Sequence, residues 1–319
     1  MKTAIITGIT GQDGAYLSQL LINENYKVIG LTRNNNNFNN VGLKYLNIDH
    51  KLIIEECDLL DFSSIIKILL KYKPDEFYNL AAQSSVGISF EQPIGTINYN
   101  TQSVLNILES IRLLMLDTKV YQASSSEMFG QVATLPVSEI TPLHPLSPYA
   151  ISKASGYWIG INYRESYGVH CVNGILFNHE SFLRGSSYFV KKVIKTSLDI
   201  KNNRAECLSV GNIDVKRDFG YAPDYVRAMW LSLQQTKAED YLICSGKSIY
   251  LREIINYVFE YLSINKNKLI EDPLLFRPTD IKDMYGDNKK AKTLLNWEYN
   301  KSFFEVLDVL IEEERKNYH

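Results

Sequence analysis

Tyr149 and Lys153 stand four residues apart, so on a helix their side chains share one face. The preceding Ser147-Pro148 pair suits a helix start, with Ser147 as N-cap and the proline in the first turn. A phenol beside an ammonium is a candidate base, because the positive charge favours the phenolate and lowers the phenol's pKa. A second constellation lies near the N-terminus. Gly8, Gly11 and Gly14 enclose Thr10, Gln12 and Asp13, after the apolar run Thr3–Thr7 and before Leu17, Leu20 and Leu21 at helical spacing. Strand, glycine turn and helix in that order form the phosphate-binding entry of a dinucleotide fold. Glycines let the backbone approach a pyrophosphate, and the helix N-terminus offers free N–H groups and a positive dipole end.

These groups need a frame, and the first half of the chain alternates strand and helix patterns. Further strands are expected at Lys27–Leu31, Leu52–Glu56, 75–80 and Lys119–Ala123. Val104, Ile107, Leu108 and Ile111 make an apolar stripe on a long helix, facing either the core or a partner subunit. Such alternation predicts an α/β, Rossmann-type doubly wound parallel sheet whose ligands sit at the C-terminal strand ends. At those ends stand Asp58-Leu59, placed for an adenine amino group, and Leu80-Ala81-Ala82, then Ser84 and Ser85, small residues that admit a cofactor. Ser124-Ser125-Ser126-Glu127 ends the fifth strand. The second strand leads into Thr32-Arg33 with no acid, which favours the 2′-phosphate of NADP, with NAD as the alternative. The asparagine-rich run at 34–40 reads as an exposed loop.

Composition bounds the function. A chain of 319 residues with 45% hydrophobic content suits one large α/β unit plus a smaller domain. A net charge of −2 gives no basic footprint for nucleic acid. No apolar run reaches the roughly 20 residues needed to span a bilayer, and no charged-then-apolar leader precedes the first strand. Cys57, Cys171, Cys207 and Cys244 lack metal or CxxC spacing and read as reduced thiols, so a cytoplasmic location is expected and no metal.

The glycine turn, the serine-rich strand end and the Tyr-x-x-x-Lys helix, in this order, resemble the extended short-chain dehydrogenase/reductases. Longer segments resemble the GDP-mannose 4,6-dehydratase family within them: 122–127, 162–168, 173–181, 217–220, Phe276-Arg277-Pro278, and Gly286-Asp287 with 289–292. The resemblance implies that Tyr149 is the acid/base, that Lys153 holds the nicotinamide ribose and tunes Tyr149, and that Ser125 holds the hydroxyl being oxidised. Glu127 would be the additional acid/base that dehydration requires, where epimerases of the superfamily tend to carry a small residue. It implies a GDP-sugar bound by Asn178, Arg184, Lys191, Lys192, Arg217, Arg277 and Asp280. The implied organisation is a dinucleotide domain over 1–178 and a smaller α/β GDP-sugar domain over 179–319, with segments around 218–245 returning to the first. A homodimer or homotetramer is implied, through helices near 93–116 and 148–167.

The chain departs from the family pattern at Asn34 and Gly42, where arginines are usual, and at Ser85, Phe182 and Leu183 near the expected sugar site. These departures leave NADP resting on Arg33, and they leave GDP-manno-heptose as an alternative substrate. A 4-epimerase or reductase is a further alternative. A dinucleotide-sensing regulatory protein is the alternative outside enzymes, although such a sensor needs neither Tyr149, Lys153 nor Glu127.

Overall fold

The computed structural model describes residues 1–34 and 38–318, so the core of the expected asparagine loop, 35–37, lies outside the described residues. The chain runs β1 (Thr3–Thr7), α1 (Gln12–Asn23), β2 (Lys27–Thr32), α2 (Val41–Tyr45), β3 (Ile53–Glu56), α3 (Phe62–Tyr72), β4 (Glu76–Asn79), α4 (Val86–Glu91), α5 (Pro93–Leu113) and β5 (Lys119–Ser125). It continues α6 (Pro148–Tyr167), β6 (Cys171–Leu176), β7 (Asn178–Glu180), α7 (Phe189–Lys201), β8 (Leu208–Val210), β9 (Lys216–Tyr221) and α8 (Ala222–Leu233). The last elements are β10 (Asp240–Ile243), β11 (Ser248–Tyr250), α9 (Leu251–Leu262), β12 (Leu269–Glu271), α10 (Lys289–Leu295) and α11 (Phe303–Lys316).

Seven strands form one parallel sheet in the order β10-β6-β5-β4-β1-β2-β3. The order reverses between β1 and β4, and a crevice opens beyond their C-terminal ends, where such sheets bind ligands. The buried hydroxyl of Thr7 fixes this crevice. It accepts the Leu80 and Ala81 N–H groups, each at 3.0 Å, and donates to Asn79 Oδ1 at 2.8 Å. The stripe Val104, Ile107, Leu108 and Ile111 is core, packed with Ile65 and Leu69 of α3.

A second lobe carries a three-stranded sheet in the order β11-β9-β7 and the β8–β12 pair. Its core joins α7, α9 and α11 through residues such as Val193, Val258, Leu307 and Ile311. Helix α11 begins with a capping box of Ser302 and Glu305. Two late segments return to the large sheet. Strand β10 pairs with β6, while Ala291 and Leu295 of α10, with Trp297 and Tyr299, pack into the core of α1 and α8. Among the described residues all four cysteines are free thiols, no helix is long and apolar enough to cross a membrane, and no group of His, Cys, Asp or Glu could hold a metal ion.

Candidate active site

The glycine turn is built as its sequence demands. Gly8 adopts φ +68°, a left-handed conformation that glycine takes without strain. A Cβ on Gly14 would lie 2.3 Å from the Gly8 carbonyl oxygen, so only glycine lets α1 start this close to β1. The turn faces two adjoining clefts. One, toward β2 and β3, is lined by Thr10, Arg33, Leu59, Leu80, Ala81 and Tyr99, among others. The other runs from Gly11–Gly14 past Ala82, Ser84 and Ser85 to Ser125, Tyr149 and Lys153. An elongated groove with a bare backbone turn in its middle fits a dinucleotide. Asp58 lies between the cleft-lining Cys57 and Leu59; it is exposed, and its Oδ1 accepts the Leu60 N–H at 3.0 Å.

Helix α6 delivers the Tyr149–Lys153 pair. The Ser147 hydroxyl caps it by accepting the Ala150 N–H at 3.1 Å, and Pro148 opens the first turn. Asn100 of α5 ties α6 to the loop after β4, donating to Ser152 Oγ at 2.9 Å and pairing with the backbone of Gln83 in both directions. Tyr149 is 8% exposed and Lys153 7%. Lys153 donates to the Ala123 carbonyl at 2.9 Å, and its Nζ lies 5.8 Å from the Tyr149 ring centroid.

Electrostatics corrects the simple expectation that the ammonium lowers the phenol. Burial is the dominant influence on Tyr149 and raises its pKa above the ordinary value. A Ser125 hydrogen bond and the Arg184 charge pull it down, while Glu127 and Tyr188 push it up. Burial likewise drives Lys153 down to about 8. Ser125 links the reactive groups, because its hydroxyl also accepts the Glu127 N–H at 3.3 Å and starts the tight turn Ser126–Phe129.

Glu127 sits at a junction. It lines the cleft of Tyr149 and also a third cleft, between the lobes, that contains Arg217, Arg277 and Asp280. Asn178, Arg184 and Arg277 line both as well. Arg217 is anchored by Asp280 Oδ1 at 2.7 Å and by the carbonyls of Lys216 and Ile281. Arg277 is exposed on the rim, with no hydrogen-bond or ion-pair partner among the described residues. An acid beside a phenol, with two guanidinium groups beyond it, suits a sugar at the junction and an anionic tail in the third cleft.

Two expectations fail here. Lys191 donates to the Phe182 carbonyl and pairs with Glu314, and Lys192 donates to the Ser209 carbonyl at 2.7 Å. Among the described residues neither lines the Tyr149 cleft or the Arg217 cleft, and both ammonium groups are engaged in holding the lobe together. Nor do Phe182 and Leu183 approach the sugar site. The Phe182 ring lies 4.6 Å from that of Tyr45, and Leu183 Cδ1 would be 3.3 Å from a Cβ on Gly42. Gly42 and Leu183, two departures from the family pattern, therefore touch each other away from the clefts. Of the three departures expected near the sugar, Ser85 alone lines the cleft.

The structure adds residues that sequence reasoning did not single out. Tyr188 lines both clefts at the junction, hydrogen-bonded to Ser84 at 2.6 Å with the Arg184 guanidinium 3.8 Å from its ring centroid. Buried Glu180 lies beneath Arg184, at 3.6 Å. The three polar residues Asn178-His179-Glu180 in a buried strand were a readable signal for a site; nothing in the sequence pointed to Tyr188.

Comparison with known proteins agrees with this layout. Residues 5–310 match the family model of GDP-mannose 4,6 dehydratase. The chain is 42% identical to GDP-mannose 4,6 dehydratase 1 of Arabidopsis thaliana over 98% of its own length and 90% of that protein's. It is 40% identical to the GDP-mannose 4,6-dehydratase of Vibrio cholerae, covering 93% and 89%. Among solved structures, a dTDP-glucose 4,6-dehydratase from Streptomyces venezuelae, determined with NAD bound, superposes with a TM-score of 0.90 at 21% identity, covering 99% of this chain and 97% of that one. That last likeness concerns the fold. The sequence matches run through the glycine turn, the α6 pair and the second lobe, and by them the chain belongs to the GDP-mannose 4,6-dehydratase family.

Proposed function

We propose that the protein converts GDP-mannose to GDP-4-keto-6-deoxymannose and water, consuming no net oxidant or reductant. The observation that carries this reading is the position of Glu127 at the junction of the two clefts, with Ser125 and Tyr149 on one side and Arg217 and Arg277 on the other. Oxidation or epimerisation at one carbon needs one base at one hydroxyl. Elimination needs a second proton-transfer group at the neighbouring carbon, and a carboxylate beside the phenol answers that need.

A nicotinamide dinucleotide held by the glycine turn and Lys153 would supply hydride acceptance at C4 and hydride return at C6. Tyr149 takes the proton of the C4 hydroxyl, Ser125 holds that hydroxyl, and Lys153 holds the ribose of the cofactor. Once C4 is a ketone its neighbour C5 is acidic. Glu127 removes the C5 proton and protonates the C6 hydroxyl, which leaves as water. Reduction at C6 and return of a proton to C5 complete the product. Arg217 and Arg277 clamp the diphosphate, Asn178 and Arg184 contact the diphosphate and sugar, and Asp280 holds the guanosine ribose while bracing Arg217.

Arg33 in the β2-side cleft, with no acid directly after β2, supports NADP over NAD. Exposed Ile94 on α5, with Ile151 and Trp158 on α6, supports pairing of two copies through these helices. Mass spectrometry of GDP-mannose incubated with the protein tests the reaction: loss of one water without added reductant supports it. An unchanged GDP-mannose beside a dehydrated GDP-manno-heptose would move the assignment to the heptose substrate.

A further inference from the structure

His179 is engaged at both ring nitrogens. Its Nδ1 lies 2.6 Å from the Phe177 carbonyl oxygen, an acceptor only, so Nδ1 carries a proton. Its Nε2 lies 2.9 and 3.0 Å from the two oxygens of Asp13, and Asp13 Oδ1 also accepts from Gln12 Nε2 at 3.1 Å. With Asp13 ionised, Nε2 also donates and the ring is an imidazolium, the pairing that Gln12's donation to Oδ1 favours. Burial opposes charge on both groups, yet their mutual attraction and hydrogen bond leave Asp13 below and His179 above their ordinary pKa values.

The pair joins the two lobes. Asp13 belongs to the first turn of α1 and lines the cleft beside Gly11 and Gly14, while His179 is the middle residue of β7. Gln12 fastens the same seam, donating to the His179 carbonyl at 3.1 Å and accepting from Ser181 Oγ at 2.7 Å. Tyr225 of α8 stacks on the imidazole with centroids 4.9 Å apart. The other charged or titratable groups that face the pair are Arg184 and Glu180 around His179, and Lys153 of α6 and Tyr121 of β5 toward Asp13.

An acid at the start of this helix presents a difficulty for a pyrophosphate. The helix N-terminus attracts anions, but an uncompensated carboxylate in the same turn repels them. We propose that His179 is a positioning residue that holds Asp13 as a neutralised ion pair, so that the glycine turn meets the cofactor's pyrophosphate without an opposing negative charge. The proposal rests on the reading that this cleft takes a nicotinamide dinucleotide. It makes cofactor affinity dependent on the His179 proton: the dinucleotide is held while the ring is charged and loosens as pH rises through its raised pKa.

The test is the dissociation constant of NADP, and separately of NAD, for the whole protein by calorimetry across neutral to alkaline pH. His179→Gln is expected to weaken binding on the order of tenfold, as an unscreened like charge near the pyrophosphate would. The double variant His179→Gln with Asp13→Asn is expected to recover most of that loss and to keep only the pH dependence that Lys153, with its pKa near 8, contributes. Wild-type affinity unchanged across the pH range overturns the proposal without requiring any variant to fold, as does a double variant that binds as weakly as His179→Gln. Asp13→Asn alone should flatten the pH profile, and a profile as steep as wild type overturns the proposal too. A wild-type protein that binds neither dinucleotide at any pH overturns the cofactor reading itself, and this proposal with it.

Discussion

Lys153 is a buried ammonium whose folded-state pKa has fallen from 10.5 to about 8, with burial as the principal cause. It therefore makes the protein less stable near neutrality than an apolar side chain would. At 1.36 kcal/mol per tenfold change in proton affinity, that displacement corresponds to about 3 kcal/mol. Lys153→Met keeps a similar length, removes the charge and forfeits the 2.9 Å bond to Ala123. Loss of that bond offsets about 1 kcal/mol, leaving a net stabilisation of about 2 kcal/mol at pH 7. For a chain of this size, that is a rise in Tm of about 3 °C. The sign follows from linkage. Below pH 8 the wild-type lysine is charged in both states and the full penalty applies. Between about 8 and 10.5 the folded protein has released the proton while the unfolded chain keeps it, so wild-type stability rises with pH and the variant's advantage shrinks. Thermal denaturation of the dinucleotide-free protein at about pH 7 and about pH 10 reads both arms. Dehydratase activity should vanish in the same variant. A Tm below wild type near neutrality, or an equal gain at both pH values, would refute the reasoning.

Other residues give sharper tests of role. Glu127→Gln should bind GDP as wild type does while dehydration falls by about 10² to 10⁴, the usual range for a lost proton-transfer group, as read by product formation; full activity would remove Glu127 from the mechanism. Arg277→Ala should weaken GDP binding about tenfold or more by calorimetry, since a charge-assisted contact is worth about 1.5–3 kcal/mol. Lys191→Ala should leave that constant unchanged and lower Tm instead, because its ammonium already serves Glu314 and the Phe182 carbonyl. Arg33→Ala should reduce thermal stabilisation by NADP more than by NAD at equal ligand concentration, and an equal loss for both would remove Arg33 from 2′-phosphate recognition.

What could be read from sequence was whatever obeys local rules. The strand–turn–helix at Gly8–Gly14, the Ser147-Pro148 helix start and the Ser302–Glu305 capping box each follow from side-chain periodicity and capping chemistry, and each is present in the structure. The strands came within a residue or two; β5 runs on to Ser125, so Ser124 and Ser125 end the strand and do not follow it. What could not be read depends on contacts distant in sequence. Lys191 and Lys192 looked like free cations, but Glu314 and the Ser209 carbonyl meet them only once α11 and β8 are packed. Phe182 and Leu183 turn toward Tyr45 and Gly42, a destination that depends on how α2 lies against the loop after β7. The phenol of Tyr149 is governed by burial more than by its helical neighbour, and spacing alone carries no information about burial.

The central claim is that one hydride leaves C4 and returns to C6 of the same sugar while one water is lost. GDP-mannose deuterated at C4, incubated with the protein and its bound cofactor, tests this directly by mass spectrometry and NMR of the product. The account predicts a product lighter by one water that carries the deuterium at C6. A product that retains the oxygen at C6, or one that has lost its deuterium to dinucleotide in solution, would contradict it.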